Sequence, residues 1–100
     1  MDKKIDWMLG MSDNMINISD KNKDKPMMDE ISSMAWGMKE NLDKLKMQDI
    51  DDEVMSLMEQ MMRNMEEIMM TMNMEDERQR MMIKYMMSYI LIMQMSNLNC

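Results

Sequence analysis

Residues 81–95 read MMIKYMMSYILIMQM, and only Lys84, Ser88 and Gln94 interrupt the apolar run. A helix that is apolar on almost every side must be covered by something. At 15 residues the run is shorter than the roughly 20 apolar residues a bilayer span needs, and it contains a lysine. It reads as a buried or docked helix around which the other segments pack. Burial of the run in a monomer favours a closed structural bundle. A dimer, or exposure of the run, favours a surface for a partner.

Working outward, the preceding segments show the same apolar chemistry at helical spacing. Val54, Met58, Met61, Met65, Ile68 and Met72 recur at intervals of four and three, and Met55, Met62 and Met69 form a second row seven apart. Together they make one wide apolar face. Glu59, Arg63, Glu66 and Glu67 occupy the opposite side. Between residues 26 and 46, Met28, Ile31, Ala35, Met38, Leu42 and Leu45 form a heptad seam. Lys39 with Asp43, and Glu40 with Lys44, have the i,i+4 spacing of helix-surface ion pairs. Near the N-terminus Ile5, Met8, Leu9, Met15 and Ile16 share a face, flanked by Trp7, Met11 and Ile18 and interrupted by Gly10.

The breaks between these segments carry capping chemistry. Residues 19–26, SDKNKDKP, are polar and end in proline. Asp24 is the expected N-cap of the second helix, with Pro26 in its first turn. Asp49, Asp51, Asp52 and Glu53 crowd the start of the third helix, where negative charge meets the positive end of the helix dipole. Asn73, with Asp76 three residues on, resembles a capping box for the fourth helix. The expected helices are residues 3–18, 26–46, 50–72 and 74–96. The expected fold is all-α, an antiparallel four-helix bundle with short loops forming one domain, with sequential helices as neighbours. The competing architecture is a pair of helical hairpins that dimerise into a bundle.

Composition sets further bounds. Twenty-four of 100 residues are Met, against six Leu, nine Ile, one Val and no Phe. Met stands where Leu or Phe ordinarily would. The two thioether and aliphatic volumes are close enough that such swaps cost under about 1.5 kcal/mol each. The pattern leans toward an engineered core. The net charge of −7 and the absence of a basic stripe argue against nucleic acid and against anionic membrane surfaces as partners. Cys100, the one cysteine, is the last residue, so no internal disulfide forms. That fits a reducing, cytoplasmic setting. Residues 1–13 lack the sustained apolar stretch of a signal peptide.

There is no histidine, and the two glycines are isolated. The commonest general base, imidazole zinc ligands and a glycine-rich phosphate loop are therefore missing. The expectation is no catalysis, no cofactor and no metal. Glu66 and Glu67 are adjacent and point apart on a helix. Asp20, Asn22 and Asp24 resemble the first ligands of an EF-hand loop. The resemblance ends at Lys25, Pro26 and Ile31, which take the positions of the glycine, a carbonyl donor and the bidentate glutamate. Met58, Met61, Met62, Met65 and Met69 have the thioether chemistry of a Cu(I) site, though a stripe at helical spacing reads first as core.

In methionine content and helicity the chain resembles the methionine-rich M domain of the signal-recognition particle's GTPase subunit, which takes up signal sequences. The basic, glycine-rich RNA-binding segments of that domain are absent, so its function does not carry over. The expected function is a non-catalytic bundle with a methionine core. The alternative is an interaction module that receives an amphipathic helix or hydrophobic peptide, or a second copy, in a Met-rich groove. Its candidate face is Met58, Met61, Met62, Met65, Met69, Met82, Met86 and Met93. Tyr85 and Tyr89, one turn apart, are placed at a bundle edge where their hydroxyls reach water.

Overall fold

A computed structural model describes residues 3–71 and 75–98 of the chain. They form four helices, α1 (Lys3–Lys21), α2 (Met28–Leu45), α3 (Asp52–Thr71) and α4 (Glu77–Leu98), and no strand among the described residues. The bundle measures 40 × 22 × 18 Å. The all-α four-helix bundle expected from the periodicity is the observed fold.

Every helix turns an apolar face inward, and that of α3 is all methionine. Met8 and Met15 of α1, Met38 and Leu42 of α2, Met58, Met62 and Met65 of α3, and Met87 of α4 lose all contact with solvent. Burying a Met side chain contributes roughly 1.5–3 kcal/mol, so a core of this composition is held together as a leucine core would be. The unbranched thioether also lets neighbouring residues adjust to irregular gaps.

The arrangement departs from the expected order of neighbours. α1 packs on α2 and α3, and α4 packs on α2 and α3. The sequential pair α2 and α3 lies across the diagonal, as does the pair α1 and α4. The link at residues 46–51 is short but extends across the end of the bundle, so a short connection did not require side-by-side packing. α3 and α4 make the thinnest of the four interfaces.

Local chemistry explains the boundaries. α1 runs on through Ser19 to Lys21 because the Ser19 hydroxyl donates to the Met15 carbonyl at 2.9 Å and Asn22 Nδ2 donates to the Ile18 carbonyl at 2.8 Å. The expected Asp24 cap does not form. The residue before α2 is Met27, in the left-handed region at φ 72° with no side-chain cap, and Pro26 lies outside the helix. Asp24 instead lies 3.4 Å from Lys25. Asp51 caps α3, accepting from the Glu53 amide at 2.8 Å. Asp76 caps α4 in the same way, accepting from the Arg78 amide at 2.9 Å, so α4 starts at Glu77 rather than at residue 74. The capping box proposed at Asn73 lies outside the described residues.

Polar ties bind three of the four interfaces. Asp13 of α1 and Lys39 of α2 pair at 2.7 Å, and Asp6 and Lys46 pair at 3.3 Å. Lys39 thus reaches across to α1 and over the Trp36 ring, 5.0 Å from its centre, in place of the expected pair with Asp43. Lys84 of α4 pairs with Glu30 of α2. Gly37 of α2 lies beside Leu91 of α4, where a Cβ would stand in ordinary van der Waals contact, 3.4 Å from Leu91 Cδ1. Between α1 and α3, Lys4 Nζ donates to the Ser56 hydroxyl at 3.0 Å and Asn14 Nδ2 donates to Glu66 at 2.7 Å. Between α3 and α4 two amides approach thioethers. Gln94 Nε2 lies 3.5 Å from Met62 Sδ, and Asn97 Nδ2 lies 3.8 Å from Met58 Sδ.

Candidate functional site

The thin interface between α3 and α4 opens outward as a groove of about 340 Å3, lined by Met61, Asn64, Tyr85, Met86, Tyr89 and Ile90. Helical spacing supplies its two walls. On α3, Val54, Met61 and Ile68 stand seven apart and are half-buried, with exposed Leu57 beside them. On α4, Met82, Met86, Tyr89 and Met93 follow at intervals of four, three and four, which keeps them on one side of the helix. The outer crest of α4 is apolar as well. Tyr85 and Tyr89 are 64% and 63% exposed, and Met81, Met82, Ile92 and Met95 are open to solvent beside them.

The run at residues 81–95 is therefore divided. Ile83, Met87, Ile90 and Gln94 face the core, Met86, Leu91 and Met93 are half-buried beside them, and Met81, Met82, Tyr85, Tyr89, Ile92 and Met95 face water. A helix that is apolar on all sides, yet covered on one, leaves an apolar surface patch. Contiguous patches of that kind mark sites of association.

The eight methionines named as a candidate face separate into two layers. Met61 and Met86 line the groove, Met82 is exposed at its edge, and Met93 is half-buried in the same row. Met58, Met62, Met65 and Met69 lie behind them, at most 2% exposed, and belong to the core. They cannot touch a partner, because the row containing Met55, Met62 and Met69 is buried in the core together with Met58 and Met65. Val54, Met61 and Ile68, expected in the seam with Met58 and Met65, are only half-buried, and Met61 lines the groove. Tyr85 and Tyr89 take the edge position expected of them and also line the groove. The interval from Met82 through Met86 and Tyr89 to Met93 carried that information. Asn64 gave a weaker signal, standing three residues from Met61 and four from Ile68.

The loop at residues 20–24 shows no ligand arrangement. Asp20 is within the last turns of α1 and lies 3.7 Å from Lys23, while Asp24 is matched with Lys25. Among the described residues no three His, Cys, Asp or Glu side chains converge as a metal site would require. No helix among them is long and apolar enough to cross a membrane.

Fold and surface together define a helical bundle of acidic sequence that carries an apolar groove between α3 and α4. No protein family, characterised protein or solved structure matches the chain.

Proposed function

We propose that this protein is a non-catalytic interaction module and that the groove between α3 and α4 receives an amphipathic helix of a protein partner. The observation that carries the proposal is the exposure of the apolar side of α4, with Tyr85, Tyr89, Met82 and Ile92 all more than half open to water. The groove is lined from Met61 to Asn64 on α3 and from Tyr85 to Ile90 on α4, and the apolar rows of its walls continue to Leu57 and Ile68 and to Met82 and Met93. At 1.5 Å per residue each row is about 16 Å long, or three turns of a docked helix presenting anchors at i, i+3 or i+4, and i+7. Flexible thioethers suit the task, because they reshape to different anchors at little cost.

The test is a titration with an apolar helical peptide, following methyl signals of 13C-labelled methionine. Docking shifts or broadens Met61, Met82, Met86 and Met93 and leaves Met8, Met15 and Met38 in place. Unchanged groove methyls at millimolar peptide would refute it. The competing reading, a bundle with no ligand, is favoured by the fully closed core behind the groove. It predicts little binding of a hydrophobic dye such as ANS, whereas the open groove predicts strong binding by a folded, well-ordered protein.

A further inference from the structure

The groove has one charged wall and one neutral wall. α3 carries five acids, Asp52, Glu53, Glu59, Glu66 and Glu67, and one base, Arg63. Two of these acids turn toward α1. Glu66 accepts from Asn14, and Glu59, two turns before Glu66 on the same side, lies 3.8 Å from Arg63. Glu53 and Glu67 are placed differently. At 100° per residue they fall with Gln60 on the outer flank of the stripe that contains Leu57, Met61 and Asn64. Both are exposed, and neither carboxylate takes part in an ion pair among the described residues.

The facing wall, α4 from Tyr85 to Leu98, has no charged side chain. Of the cations beside α3, Lys4 donates to Ser56, Arg63 lies by Glu59, and Lys84 is turned to Glu30 on α2. Farther off, Lys25, Lys39 and Lys46 are committed to Glu75, Asp13 and Asp6. The chain as a whole carries −7. Desolvated apolar contact on the floor and unneutralised negative charge on one rim constitute a complementary surface for an opposite charge pattern.

We infer that the helix taken by this groove is a basic amphipathic one, with Lys or Arg along the flank that lies against Glu53 and Glu67. The inference rests on the docking proposed above and adds the partner's charge and orientation. A second copy of the chain is a poor occupant. It would bring another net −7, and its own α3 acids, to a surface that already lacks counter-charge. Rim charges act mainly on encounter rate and on choice of partner, so the basic flank gives selectivity while the apolar face provides most of the affinity.

Three peptides of one design test this, sharing an apolar face at i, i+3, i+4 and i+7 and carrying Lys, Gln or Glu on one flank. Dissociation constants are measured by calorimetry at low and high salt, on the unaltered protein and on the double variant Glu53→Gln with Glu67→Gln, with groove methyl shifts as the locator. The Lys peptide binds about fivefold tighter than the Gln peptide at low salt, as expected for two exposed ion pairs. The margin closes at high salt and in the double variant. Equal binding of the Lys and Gln peptides, or a margin untouched by the double variant, overturns the charge inference while leaving docking intact. Failure of all three peptides to move the groove methyls overturns both. A dimer in sedimentation whose groove methyls sharpen or shift on dilution would make a second copy the occupant and overturn the basic-helix inference.

Discussion

Gln94 is fully buried, with its amide nitrogen 3.5 Å from the sulfur of Met62 and its carbonyl oxygen without a hydrogen-bond partner. A thioether is a weak acceptor, and a buried carbonyl left unpaired costs on the order of 1–3 kcal/mol. Replacing Gln94 with Met keeps the volume and removes the orphaned oxygen. The Gln94→Met variant is expected to gain about 1 kcal/mol, a rise of roughly 5 °C in a thermal melt for a chain of this size. A fall in melting temperature would show that the amide contact with Met62 outweighs the orphaned carbonyl.

The two layers of methionine predict opposite mutational behaviour. Met62→Ala empties a site with no solvent contact and is expected to cost about 2–5 kcal/mol in urea unfolding. Met82→Ala removes a side chain that is 51% exposed and is expected to change stability by under about 0.5 kcal/mol while weakening peptide docking. Equal destabilisation by both would place Met82 in the core and remove the groove's edge.

Gly10 lies within α1, and a Cβ built there meets nothing within 4 Å. It borders an open depression between α1 and α3 that includes Trp7, Met11 and Arg63. The helix therefore bears glycine's backbone entropy without a packing requirement. Gly10→Ala is expected to stabilise the bundle by about 0.5–1 kcal/mol, read from the urea midpoint at unchanged m-value. Destabilisation would mean that the space beside Gly10 is occupied in solution.

Lys84 and Lys25 give the fold an alkaline sensitivity. The hydrogen bond to Glu30 holds the Lys84 ammonium above the ordinary lysine range, and the bond to Glu75 does the same for Lys25. A group whose pKa is raised on folding contributes fully below its unfolded pKa, and the contribution disappears as pH rises through the folded value. The stability difference between the natural chain and Lys84→Met is therefore expected to be small and constant through neutral pH and to vanish in the alkaline range. A difference that widened with rising pH would contradict the assignment.

Much of the architecture was legible in residue spacing. The heptad seam of α2 predicted its buried face position by position, because a helix with polar flanks has one orientation that buries its apolar residues. The start of α3 was legible in its acids. The start of α2 was misread, since Asp24 had a nearer partner in Lys25 and the chain turned at Met27 instead. The groove was half legible. Met61, Met82, Met86 and Met93 were on the expected face, but Met58, Met62, Met65 and Met69 shared the same chemistry and nearly the same spacing. With a face as wide as that of α3, composition does not separate the residues that meet the core from those that meet its edge.

By itself, the sequence determined four helices, an acidic surface and methionine as the filling of the core. Those properties follow from local periodicity and side-chain volume, which act within a turn or two of chain. Only the tertiary structure decided that α2 and α3 lie across the diagonal and that α4 is covered on one side alone. Periodicity states which side of a helix is apolar but not which helix will cover it. A segment as uniformly apolar as residues 81–95 has no preferred side until its neighbours are in place.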